Sequence, residues 1–318
     1  MAFENELKTF ASGARIYIPS SSSFRSLESV FAATTHLVVA PHADDDALMG
    51  AEAICEADSF PDRHLTAVIA SASPGTGRPA GYEGRSSEDM SEIRYQEQCA
   101  AAETGRYAAT IQLGFTSEQV KNMEMPKRVE PLTETRRIIG SLKFVLDHAP
   151  HAQTVYVPCL FDHNETHHAL AILALEAIRM MEPDRRPQNC YGPEVSPGIN
   201  WIGREYMARL SVANMPLVKS VLKNYRTELA KRKYDDGLEG RAVANDVFNR
   251  PEPSTGRPFI WAVDYGRIVR ASEDMSVIDA VESLKTEILA DHMRRQMRRE
   301  NLDIYRSNNA VLEKLQKA

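Results

Sequence analysis

Cysteine is scarce in this chain. The four residues Cys55, Cys99, Cys159 and Cys190 stand singly, with no Cys-x-x-Cys pair. That excludes a structural zinc knuckle and is too sparse for a disulfide framework. No apolar run approaches the roughly 18 residues a membrane helix needs. A positive surplus is also lacking: Lys plus Arg is 38 against 44 for Asp plus Glu, a formal net charge of −6. That argues against a whole-protein nucleic-acid or anionic-membrane surface, though not against a local basic patch. There is no G-x-x-x-x-G-K-[ST] loop for phosphates and no Gly-x-Ser-x-Gly elbow for a serine hydrolase. No cysteine carries the signature of a nucleophile. The opening Met1-Ala-Phe-Glu-Asn-Glu-Leu is acidic and lacks the basic-then-apolar order of a secretory signal, so a reduced, cytoplasmic setting is expected.

What is present is the balance of a soluble globular protein, 43% hydrophobic and 26% charged. At 318 residues the chain has length for about two domains, or one with insertions, and can bury a core without staples. Short apolar runs at 36–41, 65–72, 109–115 and 153–158 read as buried strands. Between and after them, 46–57, 88–104, 132–149 and 166–181 read as helices, with Gly105 ending the second. Such alternation predicts an α/β, Rossmann-like doubly wound and mostly parallel sheet with helices on both faces. Residues 183–200, rich in Pro, Gly and polar groups, read as a loop. A helix is expected at 218–234, a turn at 251–256, a late strand from Phe259 and a helical segment over 273–317. The resulting division is an N-terminal extension (1–34), an α/β domain (35–265) and a helical C-terminal extension (266–318).

In doubly wound sheets the ligand site lies beyond the carboxyl ends of the strands. Two polar clusters fall there. The first is Pro41-His42-Ala43-Asp44-Asp45-Asp46, after the first strand. Three adjacent carboxylates repel one another unless something cationic sits among them. Imidazole with carboxylate makes a mixed N/O site suited to zinc, iron or manganese. The bland alternative is that the acids cap the helix that follows. The second is Asp162-His163-Asn164-Glu165-Thr166-His167-His168, after the fourth strand, where Asp162 or Thr166 could equally cap a helix. Two such clusters at equivalent strand ends favour a shared site, since three protein ligands and an open position characterise a catalytic zinc.

These motifs resemble the PIG-L/LmbE-like zinc-dependent deacetylases, which remove N-acetyl groups from amino sugars. The family's first motif, Pro-His-Pro-Asp-Asp-Glu, stands here as Pro41-His42-Ala43-Asp44-Asp45-Asp46. Its looser second motif, Asp-x-Asn-x-Thr-His, stands as Asp162-His163-Asn164-Glu165-Thr166-His167. An intervening Arg-x-x-Glu is matched by Arg94-Tyr-Gln-Glu97, and a weaker downstream pattern by Tyr225-Arg-Thr-Glu228 and Arg241-Ala…Phe248. The match spans roughly residues 35–250. It implies a metal, zinc or else iron(II) or another divalent ion, held by His42, Asp45 and His167. Asp44 would be the general base for a metal-bound water attacking the amide, and Arg94 would anchor substrate. Asn164 replaces a histidine that assists the intermediate in many members; it can donate a hydrogen bond but cannot act as an acid, which leaves His163 or His168 as a substitute, or Asp44 performing both proton transfers. The implied activity is removal of an N-acetyl group from an amino sugar or related glycoside. The alternatives are an amidase on a sugar–thiol conjugate, and a metal- or carbohydrate-binding protein that has lost turnover.

Gly75-Thr-Gly77-Arg-Pro-Ala80 fits a dinucleotide pattern, but Pro79 falls where a helix should open, so it reads as a loop near the site. Arg294-Arg295-Gln-Met-Arg298-Arg299 reads as a solvated helix face paired with Asp291 or Glu300, with an anionic-substrate patch or a self-association helix as the minority readings. The expected partner is a small N-acetylated sugar, with neither nucleic acid nor membrane.

Overall fold

The run His36–Ala40 is a strand buried at every position, and its side chains divide by parity. Leu37 and Val39 join one core cluster, Val38 and Ala40 the other. A strand covered by helices on both faces has no solvent side, so its sequence is continuously apolar rather than alternating. Each Val or Leu so buried contributes about 1.5–3 kcal/mol relative to exposure.

The computed structural model describes residues 2–71, 78–122, 133–195, 198–231, 233–248 and 256–315. Among these, eight strands form one sheet: β1 (Arg15–Tyr17), β2 (His36–Ala40), β3 (Leu65–Ser71), β4 (Ala109–Phe115), β5 (Thr154–Tyr156), β6 (Asn189–Pro193), β7 (Met207–Ser211) and β8 (Phe259–Asp264). Their spatial order is β1-β4-β3-β2-β5-β6-β8-β7. From β4 across to β6 all neighbours run parallel. At the edges β1 pairs antiparallel with β4, and β8 pairs antiparallel with both β6 and β7. Helices Leu27–Ala33, Thr133–His148, Glu165–Arg179 and the start of Val277–Leu315 cover one face. Helices Asp45–Met49, Ala51–Ser59, Ser87–Thr104 and Met215–Leu222 cover the other. The doubly wound α/β architecture is therefore as the sequence predicts.

The chain steps outward from β2 to β3 to β4, then returns to place β5 on the opposite flank of β2. The order reverses between β2 and β5, and a crevice opens at the carboxyl ends of strands where it does so. Both polar clusters follow these two strands.

Several elements differ from expectation. The segment 183–200 contains β6, whose Asn-Cys-Tyr-Gly-Pro has no apolar run; its pairing with β5 and β8 makes it a strand. Helix 218–234 is replaced by Met215–Leu222 and a short Arg226–Leu229. Residues 1–34 supply β1 to the sheet and bury Leu7 and Phe31, while Val277, Val281, Leu284 and Ile288 of the last helix join the same core. The Gly75–Gly77 loop and most of the 251–256 turn lie outside the described residues. All four cysteines are buried and unpaired. No helix among the described residues is long and apolar enough to cross a membrane.

The helix expected at 46–57 is two helices, Asp45–Met49 and Ala51–Ser59, divided at Gly50. A Cβ at Gly50 would lie 2.6 Å from the Asp46 carbonyl oxygen and 2.9 Å from Val38 Cγ2. The backbone contact cannot give way by rotamer change, so the missing side chain lets the turn sit on β2. Gly50→Ala is expected to destabilise by about 1–3 kcal/mol. Urea unfolding would measure this, and an unshifted midpoint would contradict the close approach.

Candidate functional site

The β2 strand ends at Ala40, and Pro41 turns the chain so that His42 and Asp45 face each other across the first turn. The backbone N–H of His42 donates to Asp45 Oδ2 at 3.2 Å, and His42 Nδ1 lies 3.0 Å from the same oxygen. Asp44 precedes the helix but makes no side-chain capping bond to it, so a capping role does not account for the acidic run. On the neighbouring strand's loop, Asn164 is the helix cap. Its Oδ1 accepts from the Thr166 N–H at 2.9 Å and starts helix Glu165–Arg179. His167, three residues on, turns inward and is 5% exposed. Its Nε2 lies 3.2 Å from Asp45 Oδ2, and its Nδ1 lies 3.0 Å from Asp162 Oδ2.

The pairing of β2 with β5 thus brings His42, Asp45 and His167 together, each offering one ligand atom within 4.8 Å of the others. The donor set is two nitrogens and one carboxylate oxygen, which suits a borderline divalent cation such as zinc or iron(II). A carboxylate on the far ring nitrogen, here Asp162, orients a ligating imidazole and fixes which nitrogen faces the ion. Ser117 Oγ lies 3.4 Å from His42 Nε2.

The adjacent carboxyls are driven in opposite directions. Burial raises Asp45, but the charges and hydrogen bonds of His167 and His42 outweigh it and hold Asp45 far below the usual carboxylate range. On Asp44 the opposing pull, from a backbone hydrogen bond and the Arg94 charge, is the weaker one. Burial, then the negative charges of Asp45 and Glu228, push it well above its ordinary value. Burial disfavours charge on His167 as well, yet Asp45 and Asp162 raise it to about 10. Two neighbouring acids separated in this way are suited to different roles, one as an anionic ligand and one as a proton carrier. Asp46 points elsewhere: fully buried, it accepts from Tyr225 Oη at 2.6 Å and Gln98 Nε2 at 2.8 Å, tying the turn to the surrounding helices.

Arg94 is not an exposed helix arginine paired with Glu97 or Asp89. Its side chain is buried and pairs with Glu228 of the helix Arg226–Leu229. One turn along, Glu97 accepts from the Thr227 N–H at 2.9 Å and from its hydroxyl at 2.6 Å. A cavity of about 470 Å³ is lined by Asp44, the His42–Asp45–His167 cluster, Arg94 and Asn164. His163, Glu228, Lys231 and Tyr234 also line it. The Asn164 oxygen accepts the cap bond, and its NH₂ is left to donate toward the cavity. His168 faces away, its Nε2 3.0 Å from Lys285 Nζ. Lys231 and Tyr234 had no signal in the sequence, and Glu228 only the weak downstream pattern. Arg294 and Arg295 both pair with Asp291; Arg294 is exposed, whereas Arg295 is half-buried and also donates to the Trp201 carbonyl at 3.1 Å.

No family model matches the sequence, and no curated protein matches it. Solved structures do. The chain aligns with N,N'-diacetylchitobiose deacetylase from Pyrococcus horikoshii at a TM-score of 0.52 and 14% identity, over 86% of this chain and 97% of that one. It aligns with GalB, the 4-carboxy-2-hydroxymuconate hydratase from Pseudomonas putida KT2440, at a TM-score of 0.54 and 14% identity, over 76% of this chain and 99% of that one. At such identity the likeness establishes a common fold. That fold carries a deacetylase in one case and a hydratase in the other, so the reaction must be argued from the residues of the site.

Proposed function

We propose that this chain is a metal-dependent hydrolase that removes an N-acetyl group from an amino sugar or related glycoside. The observation that carries this reading is the convergence of His42, Asp45 and His167 beside a buried, weakly acidic Asp44. The fold shared with a deacetylase of an acetylated sugar supports it. His42, Asp45 and His167 hold the cation, and Asp162 keeps the His167 ring in place through Nδ1. A divalent ion bound in such a set polarises a carbonyl oxygen and acidifies water.

Asp44 carries the proton traffic. Its raised basicity lets the carboxylate take a proton from water as the amide carbonyl is attacked, then return it to the departing nitrogen. Net, one amide C–N bond is broken and one water consumed, giving one acetate and one free amine. The Asn164 NH₂ can donate to the carbonyl oxygen as negative charge develops there. Arg94 stands in the cavity as a hydrogen-bond donor for substrate hydroxyls.

The test is acetate release from a panel of N-acetylated amino sugars by the zinc-loaded full-length chain, with acetate and amine counted together. Equal yields of the two, abolished by chelation and restored by zinc, are expected. A metal-loaded protein that releases acetate from none of them would overturn the reading.

A further inference from the structure

The arginine and the lysine that line the cavity are held by the same carboxylate. Arg94, with its side chain 5% exposed, pairs with Glu228, and Lys231 Nζ lies 3.2 Å and 3.5 Å from the two Glu228 oxygens. The Glu228 side chain is 17% exposed, so this charge is shielded from water but open to the cavity. It is also fixed in place. The preceding residue, Thr227, is bonded twice to Glu97, and Tyr225 is bonded to Asp46, so the segment cannot swing aside without breaking buried hydrogen bonds. Glu97 and Arg94 sit one turn apart on the same helix, which therefore grips both Thr227 and Glu228.

We propose that Glu228 sets the charge of the substrate: it confines this part of the cavity to uncharged, hydroxyl-bearing groups, and loss of its charge would convert the Arg94–Lys231 wall into a carboxylate subsite. The inference rests on the amide-hydrolase reading and names the substrate class within it. A substrate carboxylate entering here would meet the Glu228 carboxylate. Like charges juxtaposed in a poorly solvated site are strongly disfavoured. A hydroxyl meets no such penalty, since Glu228 can accept from it while Arg94 and Lys231 donate. Gln at 228 keeps the shape and the oxygen that faces Arg94, and removes the negative charge that offsets one of the two positive ones.

The test uses the zinc-loaded full chain with Glu228→Gln, titrated with glucose and glucuronate, which carry no amide. Turnover of N-acetylglucosamine and its uronic acid is measured in parallel. The glucuronate-to-glucose affinity ratio should rise at least tenfold in the variant, and the gain in turnover of the uronic acid should lie in KM rather than kcat. A ratio within twofold of wild type would overturn the assignment. Lys231→Glu is the second variant: it adds negative charge at a more exposed position and should weaken glucuronate binding, and unchanged binding would count against the proposal even if Glu228→Gln failed to fold. The two readings separate cleanly. A shifted ratio without acetate release from any substrate would sink the hydrolase and leave the charge assignment standing. Acetate release with an unshifted ratio would do the reverse.

Discussion

Asp44→Asn is expected to keep its metal and lose amide hydrolysis by about 10²–10⁴-fold, the usual contribution of a positioned acid–base group. The substitution is nearly isosteric, and the metal-ligand set of His42, Asp45 and His167 does not include Asp44. What it removes is the one carboxyl in the cavity whose affinity for a proton is raised by burial and by the negative charges of Asp45 and Glu228. An amide in its place neither accepts the proton from water nor returns one to the leaving nitrogen. The same environment makes a separate forecast for stability. A carboxylate buried beside two others is electrostatically unfavourable, so neutralising it should leave the thermal midpoint unchanged or raise it. Activity and stability should therefore move independently, which a general loss of folding cannot imitate. Metal content, melting temperature and kcat measured on one preparation decide the matter. Turnover within about threefold of wild type would remove Asp44 from the proton path.

The distinction between what the sequence discloses and what it hides follows from where each contact originates. β2, β3 and β4 are readable because a strand buried on both faces is largely apolar rather than alternating, and Leu65–Ser71 is buried throughout. The two ligand clusters are readable because a parallel sheet presents its chemistry at carboxyl ends, and β2 and β5 prove to be direct neighbours. β1 and β7 are edge strands, and β6 owes its conformation to its partners, so none has a local pattern to detect. Gly50 is similar in part: the Asp46 carbonyl that excludes a side chain is local, but Val38, the second close neighbour, belongs to another element. The Arg94–Glu228 pair spans 134 residues and depends on a four-residue helix with no apolar period. For the same reason Asn164, readable as a polar member of the second cluster, could not be seen to spend its oxygen on the helix cap until the helix start was fixed. Chemistry close to a strand end is legible; chemistry assembled by tertiary packing is not.

His167→Ala is expected to abolish metal binding, and the reasons fix an order among related variants. Among the described residues the ring supplies one of the three atoms gathered to hold a cation, and the two from one short turn, His42 and Asp45, would leave it too few donors for a tetrahedral site. Asp45→Ala should be equally severe, since Asp45 Oδ2 lies within 3.2 Å of a nitrogen from each histidine. Asp162→Asn retains all three ligands and loses only the anion that orients His167, so its metal affinity should fall by about 10–100-fold. Loss of the imidazole also leaves the Asp45 and Asp162 carboxylates buried without the cationic ring between them. Breaking a buried pair from one side costs about 3–5 kcal/mol, so His167→Ala should be markedly less stable even before metal is considered. His167→Gln keeps volume and a hydrogen-bond donor, and separates the two effects: it should recover part of the stability and none of the metal. Elemental analysis of proteins never exposed to chelator, alongside their unfolding midpoints, reads both quantities. Wild-type metal content in His167→Ala would show that the cation is held elsewhere, and the hydrolase reading would lose its foundation with it.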